Sequence, residues 1–353
     1  MKNPKILAIE TSCDETAAAI LIGSEIVSNT VYSQLALHQK TKGIVPEVAS
    51  RAHIEKIISV VKQALSDARV RPSQIDFIAV TVGPGLIGSL LVGVDTAKAL
   101  AYVLQKPIIP INHIEAHLYA NFVTNKIRKI QKSKSQIQNT FPAICLVVSG
   151  GHTSILLMRG HGDYKLLGTT IDDAAGEAFD KVARILNLSY PGGPNISLEA
   201  KRARRRGKEI HFPRPMINSS DYNFSFSGLK TAVLYKVQGL SLEKAKKLKP
   251  ELAYHFQKAI VEVLVEKVAK AARKYEAKTI ILGGGVVANE LLRSEMRKKV
   301  KNLKPKINLL ISDLKLCTDN AAIVGICGYY KYKTFKNCLS TWQGIRIDLN
   351  PDL

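Results

Sequence analysis

The chain has 353 residues, 46% of them hydrophobic, which suffices for roughly two domains with real cores and excludes global disorder. Its 51 basic and 29 acidic residues give a net charge of +22, which favours a polyanionic partner, with solvated surface charge as the alternative. The five cysteines include no C-x-x-C pair, so a disulfide framework is disfavoured. The sequence shows no export signal and no apolar run of the roughly 20 residues that a membrane span needs, so we expect a soluble, cytoplasmic protein.

The first predicted elements are strands. Residues 5–31 are predicted to form two strands joined at Gly23–Ser24, but the polar loop Glu10–Thr16 between the apolar parts is longer than a hairpin needs. Apolar residues with helical spacing then predict a helix from Ala49 to Ala68, and a buried strand follows from Phe77 to Val82.

The segment Gly83–Gly88 matches the G-x-G-x-x-G pattern of dinucleotide-binding turns. That interpretation also needs an acidic residue at the end of the following strand, whereas the predicted strand Pro107–Ile111 leads into Asn112 and His113. The pattern therefore favours a tight strand-to-helix turn in which glycines allow close backbone packing.

His113 and His117 are spaced four residues apart, so a helix places them on one face, where they could bind one metal ion or form an ordinary polar patch. A zincin-type protease needs glutamate directly after the first histidine. Glu115 is two residues past it, about 200° around the helix, and points away from such a metal. Metalloprotease activity is therefore disfavoured.

A second set of strands begins after the basic segment 125–138, which we expect to be a surface connection between lobes. A strand over Ala143–Val148, a polar turn over Ser149–Thr153 and a returning strand over Ser154–Met158 echo the N-terminal arrangement. This similarity is a hypothesis of repeated topology, because the two segments share negligible sequence identity.

The remaining predicted elements are mainly helical. An acidic helix is expected over Asp172–Lys181, a basic helix over Lys201–Lys208 and a long helix over about Leu252 to Tyr275. A strand over Thr279–Leu282 follows, and Thr318 is predicted to cap the last helix.

Three small polar turns could bind a ligand, because glycine lets backbone N–H groups approach phosphate or carbonyl oxygens. They span residues 10–16, 149–153 and 283–289, and together they suggest a nucleotide held between two lobes. Asp180 could bind ribose hydroxyls or could be a solvated helix charge. Neither a P-loop nor a serine-hydrolase G-x-S-x-G elbow is present.

Several motifs in order over almost the whole chain resemble the TsaD family of bacterial tRNA threonylcarbamoyladenosine-forming enzymes, formerly called glycoproteases. The segments that carry the resemblance are Ile9–Thr16, Gly83–Leu86, His113–His117, Val148–Thr153, Asp172–Lys181, Tyr190–Pro194, Phe224–Lys230 and Cys317–Asn320.

The resemblance implies an α/β fold of the actin/Hsp70/sugar-kinase type, with two lobes built on ribonuclease-H-like sheets and a ligand cleft between them. We expect an N-terminal lobe over residues 1–124, a connection over 125–140 and a C-terminal lobe over 141–317. The helix from about residue 318 is expected to pack back on the first lobe.

The implied reaction transfers threonylcarbamoyl from threonylcarbamoyl-adenylate to the exocyclic amine of the adenosine just 3′ of the anticodon, in tRNAs that read codons beginning with A. The resemblance assigns the metal to His113, His117 and Asp319, and places Asp14, Glu15 and His152 near the reacting carbonyl. The residues that it assigns to the adenylate are Val147, Val148, Ser149, Gly150, Gly151, Asp180, Gly193 and Asn289.

The resemblance also implies one divalent metal per chain, with iron favoured and zinc as the alternative. It implies three kinds of macromolecular partner: tRNA, a paralogous TsaB-like subunit and a small TsaE-like ATPase. We expect the 201–208 helix and the 125–138 connection to contact tRNA phosphates. A metal-dependent ATPase or sugar-kinase-like protein of the same fold is the alternative function.

The chain departs from the family pattern in two places. The 125–138 connection is longer and more basic than is typical, and Ser197 stands where some members have an acidic residue.

Overall fold

The computed structural model describes residues 3–41, 43–123, 140–203, 210–335 and 337–349. The chain divides into two compact units. Unit 1 comprises Met1–Asn139, Gly160–Asp163 and Ser312–Leu353, and unit 2 comprises Thr140–Arg159 and Tyr164–Ile311.

Each unit begins with three consecutive strands, and helices and further strands follow. The strands are β1 Lys5–Glu10, β2 Glu15–Ile22, β3 Glu25–Ser33, β4 Phe77–Gly83, β5 Ile108–Asn112, β6 Ala143–Val148, β7 Thr153–Gly160, β8 Asp163–Thr169, β9 Thr279–Gly283 and β10 Asn308–Ile311. The α-helices in the described residues are α1 Leu35–Thr41, α2 Pro46–Ala68, α3 Ile87–Leu104, α4 His113–Tyr119, α5 Ala175–Ile185, α6 Gly192–Ala200, α7 Ser227–Gln238, α8 Leu242–Lys274, α9 Glu290–Lys301 and α10 Ala321–Thr334.

The sheet of unit 1 has the strand order β3-β2-β1-β4-β5. Strands β1, β2 and β3 pair antiparallel, whereas β4 and β5 continue the sheet in parallel with β1. The predicted junction at Gly23–Ser24 is confirmed, because β2 ends at Ile22 and β3 begins at Glu25. The number of strands over residues 5–31 was wrong by one, because the polar loop separates the first predicted strand into β1 and β2.

Helices cover both faces of this sheet. Helices α2 and α3 pack against β2 and β4, and α10 packs against β1 and β2. Leu7, Ile20 and Ile78 from the strands meet Ile57 and Val61 of α2 in a buried core. Because these apolar side chains recur at helical spacing in α2 and without interruption in the strands, burial of both patterns in one core stabilises unit 1.

Unit 2 contains a sheet of order β10-β9-β6-β7-β8. Strand β6 pairs antiparallel with β7 and parallel with β9, and β10 extends the parallel part. The strand order and the pairings of β6 with β7, β6 with β9 and β9 with β10 repeat those of unit 1. The hypothesis of repeated topology is confirmed.

Two predicted helix starts were wrong. The long helix begins at Leu242 rather than near Leu252, because the Ser241 side chain caps it and Pro250 lies inside it. The last helix begins at Ala321, since the Asn320 side chain, rather than that of Thr318, accepts a hydrogen bond from the helix N–H of Ile323 (3.3 Å).

One of the two predicted basic segments lies partly, and the other wholly, outside the described residues. The predicted helix over 201–208 is not seen in its described part, because α6 ends at Ala200 and residues 201–203 form a turn and a bend. Residues 204–209, and the whole of the 125–138 connection, lie outside the described residues.

The unit boundaries follow contacts that the sequence pattern does not display. Gly160–Asp163 belongs to unit 1, where the ring of His161 stacks on Tyr330 with ring centroids 4.3 Å apart. Ser312 also belongs to unit 1, and its hydroxyl lies 3.2 Å from the Cys317 sulfur. Residues 312–317 are thereby grouped with α10 rather than with the strands that precede them.

Helix α3 is, by length and composition, apolar enough to cross a membrane, and among the described residues only this helix meets that test. One-third of the tested stretch is buried inside the protein. Helix α3 also packs against α2 and β4 in unit 1. Core helices of globular proteins pass the same test, so the finding is weak evidence for a membrane span.

The Gly83–Gly88 turn brings the start of α3 close to the polar loop after β1. A Cβ atom on Gly85 would lie 2.6 Å from the Ser12 carbonyl oxygen, and the N–H of Leu86 donates to that same oxygen (2.8 Å). This confirms the prediction that these glycines serve close backbone packing.

Replacement of Gly85 by alanine should lower the free energy of unfolding by about 1–3 kcal/mol, because the added methyl group forces backbone to move away from backbone. Urea denaturation measures the change. Gly344→Ala is the matched control in unit 1, since its Cβ would meet nothing closer than 3.9 Å. Equal stability of the two variants would contradict the packing argument.

Candidate metal centre and ligand-binding turns

In unit 1, the histidine helix α4 starts where β5 ends. Its N-terminus is fixed by Asn112, whose side-chain oxygen accepts hydrogen bonds from the N–H groups of Ile114 (2.8 Å) and Glu115 (3.2 Å). This cap makes His113 the first helical residue and places His117 one turn later on the same face.

Three possible metal-ligand atoms converge at this helix. The Nε2 atoms of His113 and His117 are 3.2 Å apart, and Oδ1 of Asp319 lies 3.2 Å from the Nε2 of His117 and 3.6 Å from that of His113. All three atoms lie within 4.8 Å of one another, and both histidines are buried.

The chemistry of this donor set fits a divalent metal. Two imidazole nitrogens and one carboxylate oxygen face one point, and imidazole suits transition metals better than Mg²⁺ or Ca²⁺. Three protein ligands also leave coordination positions open for substrate, as in catalytic sites. Asp319 comes directly before Asn320, whose side chain caps α10.

Glu115 lies on the other side of α4. Its Oε2 forms an ion pair with Nζ of Lys331 in α10 at 2.8 Å, and its side chain is buried. The prediction that Glu115 points away from the metal ligands is therefore confirmed. A glutamate that is paired in this way cannot activate a metal-bound water, as a zincin requires.

Two further acidic side chains follow β1: Asp14 ends the polar loop and Glu15 begins β2. Burial raises the pKa of Asp14, and the negative charge of Asp319 adds to the increase. Burial likewise raises the pKa of Glu15 to about 8, although a hydrogen bond from the Ser33 hydroxyl (2.8 Å) opposes the shift. The charge of Asp319 thus affects both Asp14 and Glu15 in unit 1.

His53 holds this loop in place from α2. Its Nε2 lies 3.0 Å from the Cys13 carbonyl oxygen, and its Nδ1 lies 2.8 Å from the Thr16 hydroxyl. A carbonyl only accepts, so Nε2 carries the proton and Nδ1 accepts from Thr16. The loop that bears Asp14 and Glu15 is therefore fixed on both sides.

In unit 2, the Ser149–Gly151 turn packs against the start of α5. The carbonyl oxygens of Ser149 and Gly150 accept hydrogen bonds from the N–H groups of Gly176 (3.2 Å) and Glu177 (3.0 Å). The predicted acidic helix therefore begins at Ala175, after Asp172 and Asp173, rather than at Asp172.

The predicted residues of this segment differ in what they can offer a ligand. The side chains of Val147 and Val148 are fully buried in β6. The N–H of Ser149 donates to the His152 carbonyl (2.8 Å), so it is not available to an oxyanion. A Cβ on Gly150 or Gly151 would meet nothing within 4 Å, which leaves open space beside their backbone.

Asp180 connects α5 to the Pro-Gly-Gly turn that starts α6. Its Oδ1 accepts a hydrogen bond from the N–H of Gly192 (2.6 Å). A Cβ on Gly192 would meet the backbone of Phe179 and Asp180, whereas the neighbouring Gly193 has nothing within 4 Å. Asp180 is therefore bonded to the residue that precedes the open Gly193, and its role in binding the adenylate stays a prediction.

The Asn289 side chain has a structural role. Its Nδ2 donates to Gln257 Oε1 (2.8 Å) and Ser197 Oγ (3.1 Å), while its Oδ1 caps α9 by accepting from Leu292 N–H (3.0 Å). The Ser197 hydroxyl lies 2.9 Å from the Gly193 carbonyl oxygen. Sequence reasoning missed Gln257 and set Ser197 aside, yet both connect Asn289 to the glycine turn.

The fold and site together define a class. Each unit contains one five-stranded mixed sheet with the same strand order, which is the ribonuclease-H-like arrangement of the actin/Hsp70/sugar-kinase class. A solved structure of HypF from T. kodakarensis is similar to the chain with a TM-score of 0.60 and 15% identity, over 94% of this chain and 48% of that protein.

Within that class the chain belongs to the family described as "TsaD: tRNA N6-adenosine threonylcarbamoyltransferase", which residues 25–326 match. It is 52% identical to the enzyme of that name from Syntrophomonas wolfei over 93% of this chain and 92% of the relative. Identity to the Thermosipho africanus enzyme is 48%, over 96% and 98% respectively. The predicted family, fold class and transferase activity are confirmed, and the kinase-like alternative is not supported.

Asp319→Asn should abolish stable metal binding, because the amide loses the charge that holds a cation between two histidines. We expect the affinity to fall by about 100-fold or more, since partners that only orient ligands already contribute about 10–100-fold. Metal content after dialysis and the metal-dependent rise in melting temperature measure the loss. Asp67→Asn, an exposed position in α2, should behave as wild type; equal metal content in both variants would exclude Asp319 as a ligand.

Proposed function

We propose that the chain transfers a threonylcarbamoyl group from threonylcarbamoyl-adenylate to tRNA. The adenosine N6 amine attacks the carbamoyl carbonyl carbon, a C–N bond forms, the bond from that carbon to the phosphate oxygen breaks, and AMP leaves while the amine loses a proton. The acceptor is the adenosine 3′ of the anticodon in tRNAs that read codons beginning with A. The convergence of two histidines and an aspartate in a chain of this family is the observation that carries the proposal.

The metal in this proposal is held by His113, His117 and Asp319. When bound there, a divalent ion supplies Lewis-acid polarisation of the carbonyl and neutralises charge on the departing phosphate. Two histidines and one carboxylate with open positions are the ligand set typical of non-haem iron(II), which supports iron over zinc.

Unit 2 supplies the adenylate-binding residues in this proposal. The open space beside Gly150 and Gly151 suits backbone contacts to phosphate, and Asp180 with Gly193 suits the ribose. The contribution of Asn289 is to order the Gly193 turn through Ser197, because its own polar atoms are engaged. Val147 and Val148 contribute through backbone only.

Asp14, Glu15 and His152 are the proposed catalytic residues. The attacking amine must release a proton, and a carboxyl group with a pKa of about 8, such as that of Glu15, can accept and return one near neutral pH. No side chain in the described residues needs to form a covalent intermediate, since the adenylate is already activated.

The tRNA substrate accounts for the large positive charge of the chain. Arg204, Arg205 and Arg206 belong to the segment proposed to contact tRNA phosphates, and they lie outside the described residues, so this part rests on the sequence alone. A tRNA-modifying role also supports a cytoplasmic location.

The proposed protein partners are a paralogous TsaB-like subunit and a small TsaE-like ATPase. An exposed apolar surface on unit 1 suits the first: Ile54 and Ile58 of α2 are 64% and 54% exposed, and Ile87 and Leu91 of α3 are 58% and 45% exposed. The two helices adjoin there, since a Cβ on Gly88 would lie 3.2 Å from the Cβ of Ser50. A paralogue presenting an equivalent helix pair could pack against it with pseudo-twofold symmetry.

The transfer reaction is tested by incubating the protein and both partners with threonylcarbamoyl-adenylate and unmodified tRNA, followed by mass spectrometry of the nucleosides. Asp14→Asn, Glu15→Gln and His152→Ala should each slow product formation by about 100-fold or more if they handle protons. Asp67→Asn is the control. Absence of the modified nucleoside with all components present would refute the proposed reaction; unchanged rates in the variants would refute only the assigned roles.

Ile54→Lys combined with Ile58→Lys should prevent binding of the paralogous subunit, because two charges would be buried without partners. We expect association to weaken by about 100-fold or more, with the variant still folded because both side chains are exposed. Size-exclusion chromatography with light scattering measures the complex. Tyr235→Lys with Leu242→Lys, at exposed apolar positions of unit 2, is the matched control. A stable complex of the Ile54/Ile58 variant would place the partner elsewhere.

A further inference from the structure

Glu10 is a buried acidic residue to which neither the family resemblance nor the proposed reaction gives a role. It is the last residue of β1, and it has no solvent exposure. A buried carboxylate is strongly unfavourable unless each oxygen receives hydrogen bonds or an opposite charge. The buried carboxylate of Glu10 must therefore have hydrogen-bond donors or a positive charge next to it.

Those partners are three groups around the Glu10 side chain. Oε1 accepts a hydrogen bond from the N–H of Ser12 at 2.6 Å, and Oε2 accepts one from the Thr81 hydroxyl at 2.8 Å. Oε2 also lies 3.1 Å from Nδ1 of His113. The carboxylate is thus held in one orientation by the loop after β1 and by β4, and it faces one nitrogen of a proposed metal ligand.

This contact decides which imidazole nitrogen of His113 carries a proton. A carboxylate oxygen can only accept, so Nδ1 must donate to it. The Ser12 hydroxyl, 3.1 Å from the same Nδ1, can accept a share of that hydrogen bond. In the neutral ring the lone pair is then on Nε2, the atom that points at His117 and Asp319.

We propose that Glu10 is a positioning residue that keeps the proton of His113 on Nδ1 and thereby presents Nε2 to the metal. The inference rests on the proposed metal-binding role of His113, His117 and Asp319. Carboxylates that orient ligating histidines in this way fix the ring and make the ligand nitrogen more basic.

The second histidine of the pair provides an internal contrast. The Nδ1 of His117 is buried and has no hydrogen-bond partner among the described residues. Its orientation comes from its place on α4 and from the Asp319 carboxylate, 3.2 Å from its Nε2. The role proposed for Glu10 is therefore specific to His113, and His117 should not respond to a change at Glu10.

Glu10→Gln tests the inference because it keeps the size of the side chain and removes one acceptor. If the amide NH₂ takes the position of Oε1, it opposes the N–H of Ser12. If it takes the position of Oε2, it opposes the Nδ1 proton of His113 unless that proton moves to Nε2. We expect the affinity of the metal-free protein for Zn²⁺ to fall by about 10–100-fold in a competition titration with a chromophoric chelator.

Nitrogen-15 NMR of the zinc-loaded protein supplies a readout that a merely structural role would not move. In the wild type, His113 should show a bound Nε2 and a slowly exchanging proton on Nδ1. In Glu10→Gln that proton should exchange faster and shift, while the His117 signals stay unchanged. Coordination of wild-type His113 through Nδ1 would overturn the proposal, whatever the variants do.

Two further variants keep the test decisive. Thr81→Val removes one hydrogen bond to the carboxylate but keeps the carboxylate itself, so zinc affinity should stay within a few-fold of wild type. If Glu10→Gln fails to fold, Glu10→Asp, whose shorter carboxylate withdraws from His113, should weaken zinc binding while retaining the charge. Wild-type affinity in the folded Gln variant, or in the Asp variant used in its place, would overturn the proposal. If the protein binds zinc tightly but does not modify tRNA, the proposed reaction is contradicted. The role of Glu10 is then still decided by the zinc affinities of the variants.

Discussion

Unit 1 depends on a single geometric constraint: the carboxyl ends of its parallel strands β1, β4 and β5 lie at one edge of the sheet. Glu10 is the last residue of β1, Thr81 lies near the end of β4, and His113 directly follows the end of β5. Residues that are about 100 positions apart therefore meet without any long loop. Open α/β sheets generally bind small molecules beyond this edge. Here the same edge also brings Glu10 and Thr81 next to His113.

Unit 2 uses the same sheet topology for a different purpose. Its polar turn after β6 carries two open glycines instead of acidic side chains, and helix α5 starts against the carbonyl groups of that turn. Backbone approach replaces side-chain ligation, which suits a phosphate-bearing ligand more than a cation. One duplicated scaffold thus supports a site rich in charged side chains in unit 1 and turns rich in exposed backbone in unit 2.

The sequence predicted the elements with strong local signals. Helix α2, strands β4, β6 and β9, and the direction of Glu115 all followed from periodicity or from angular spacing on a helix. The starts of the long and last helices did not follow from such signals. Each start depends on one hydrogen bond that the side chain of Ser241 or Asn320 accepts, and other polar residues nearby in the sequence could cap a helix equally well.

The composition of the site was harder to predict than the fold. The His113 and His117 pair is visible locally, but Asp319 is about 200 residues away, and only the resemblance suggested it. Glu10 and Gln257 carried one weak signal each, an acidic residue ending an apolar strand and an amide within an apolar helix. Neither pattern says which partner across the fold will receive the hydrogen bond. Likewise, only coordinates could reveal that the N–H of Ser149 is already engaged.

The ion pair between Glu115 and Lys331 joins the histidine helix to α10, which the chain contributes near its end. Asp319 lies just before that helix, so one stretch of about fifteen residues supplies both the third candidate metal ligand and the ion-pair partner of α4. During synthesis the strands of unit 1 and all of unit 2 leave the ribosome before this stretch does. The candidate metal centre is consequently the part of unit 1 whose residues come together last.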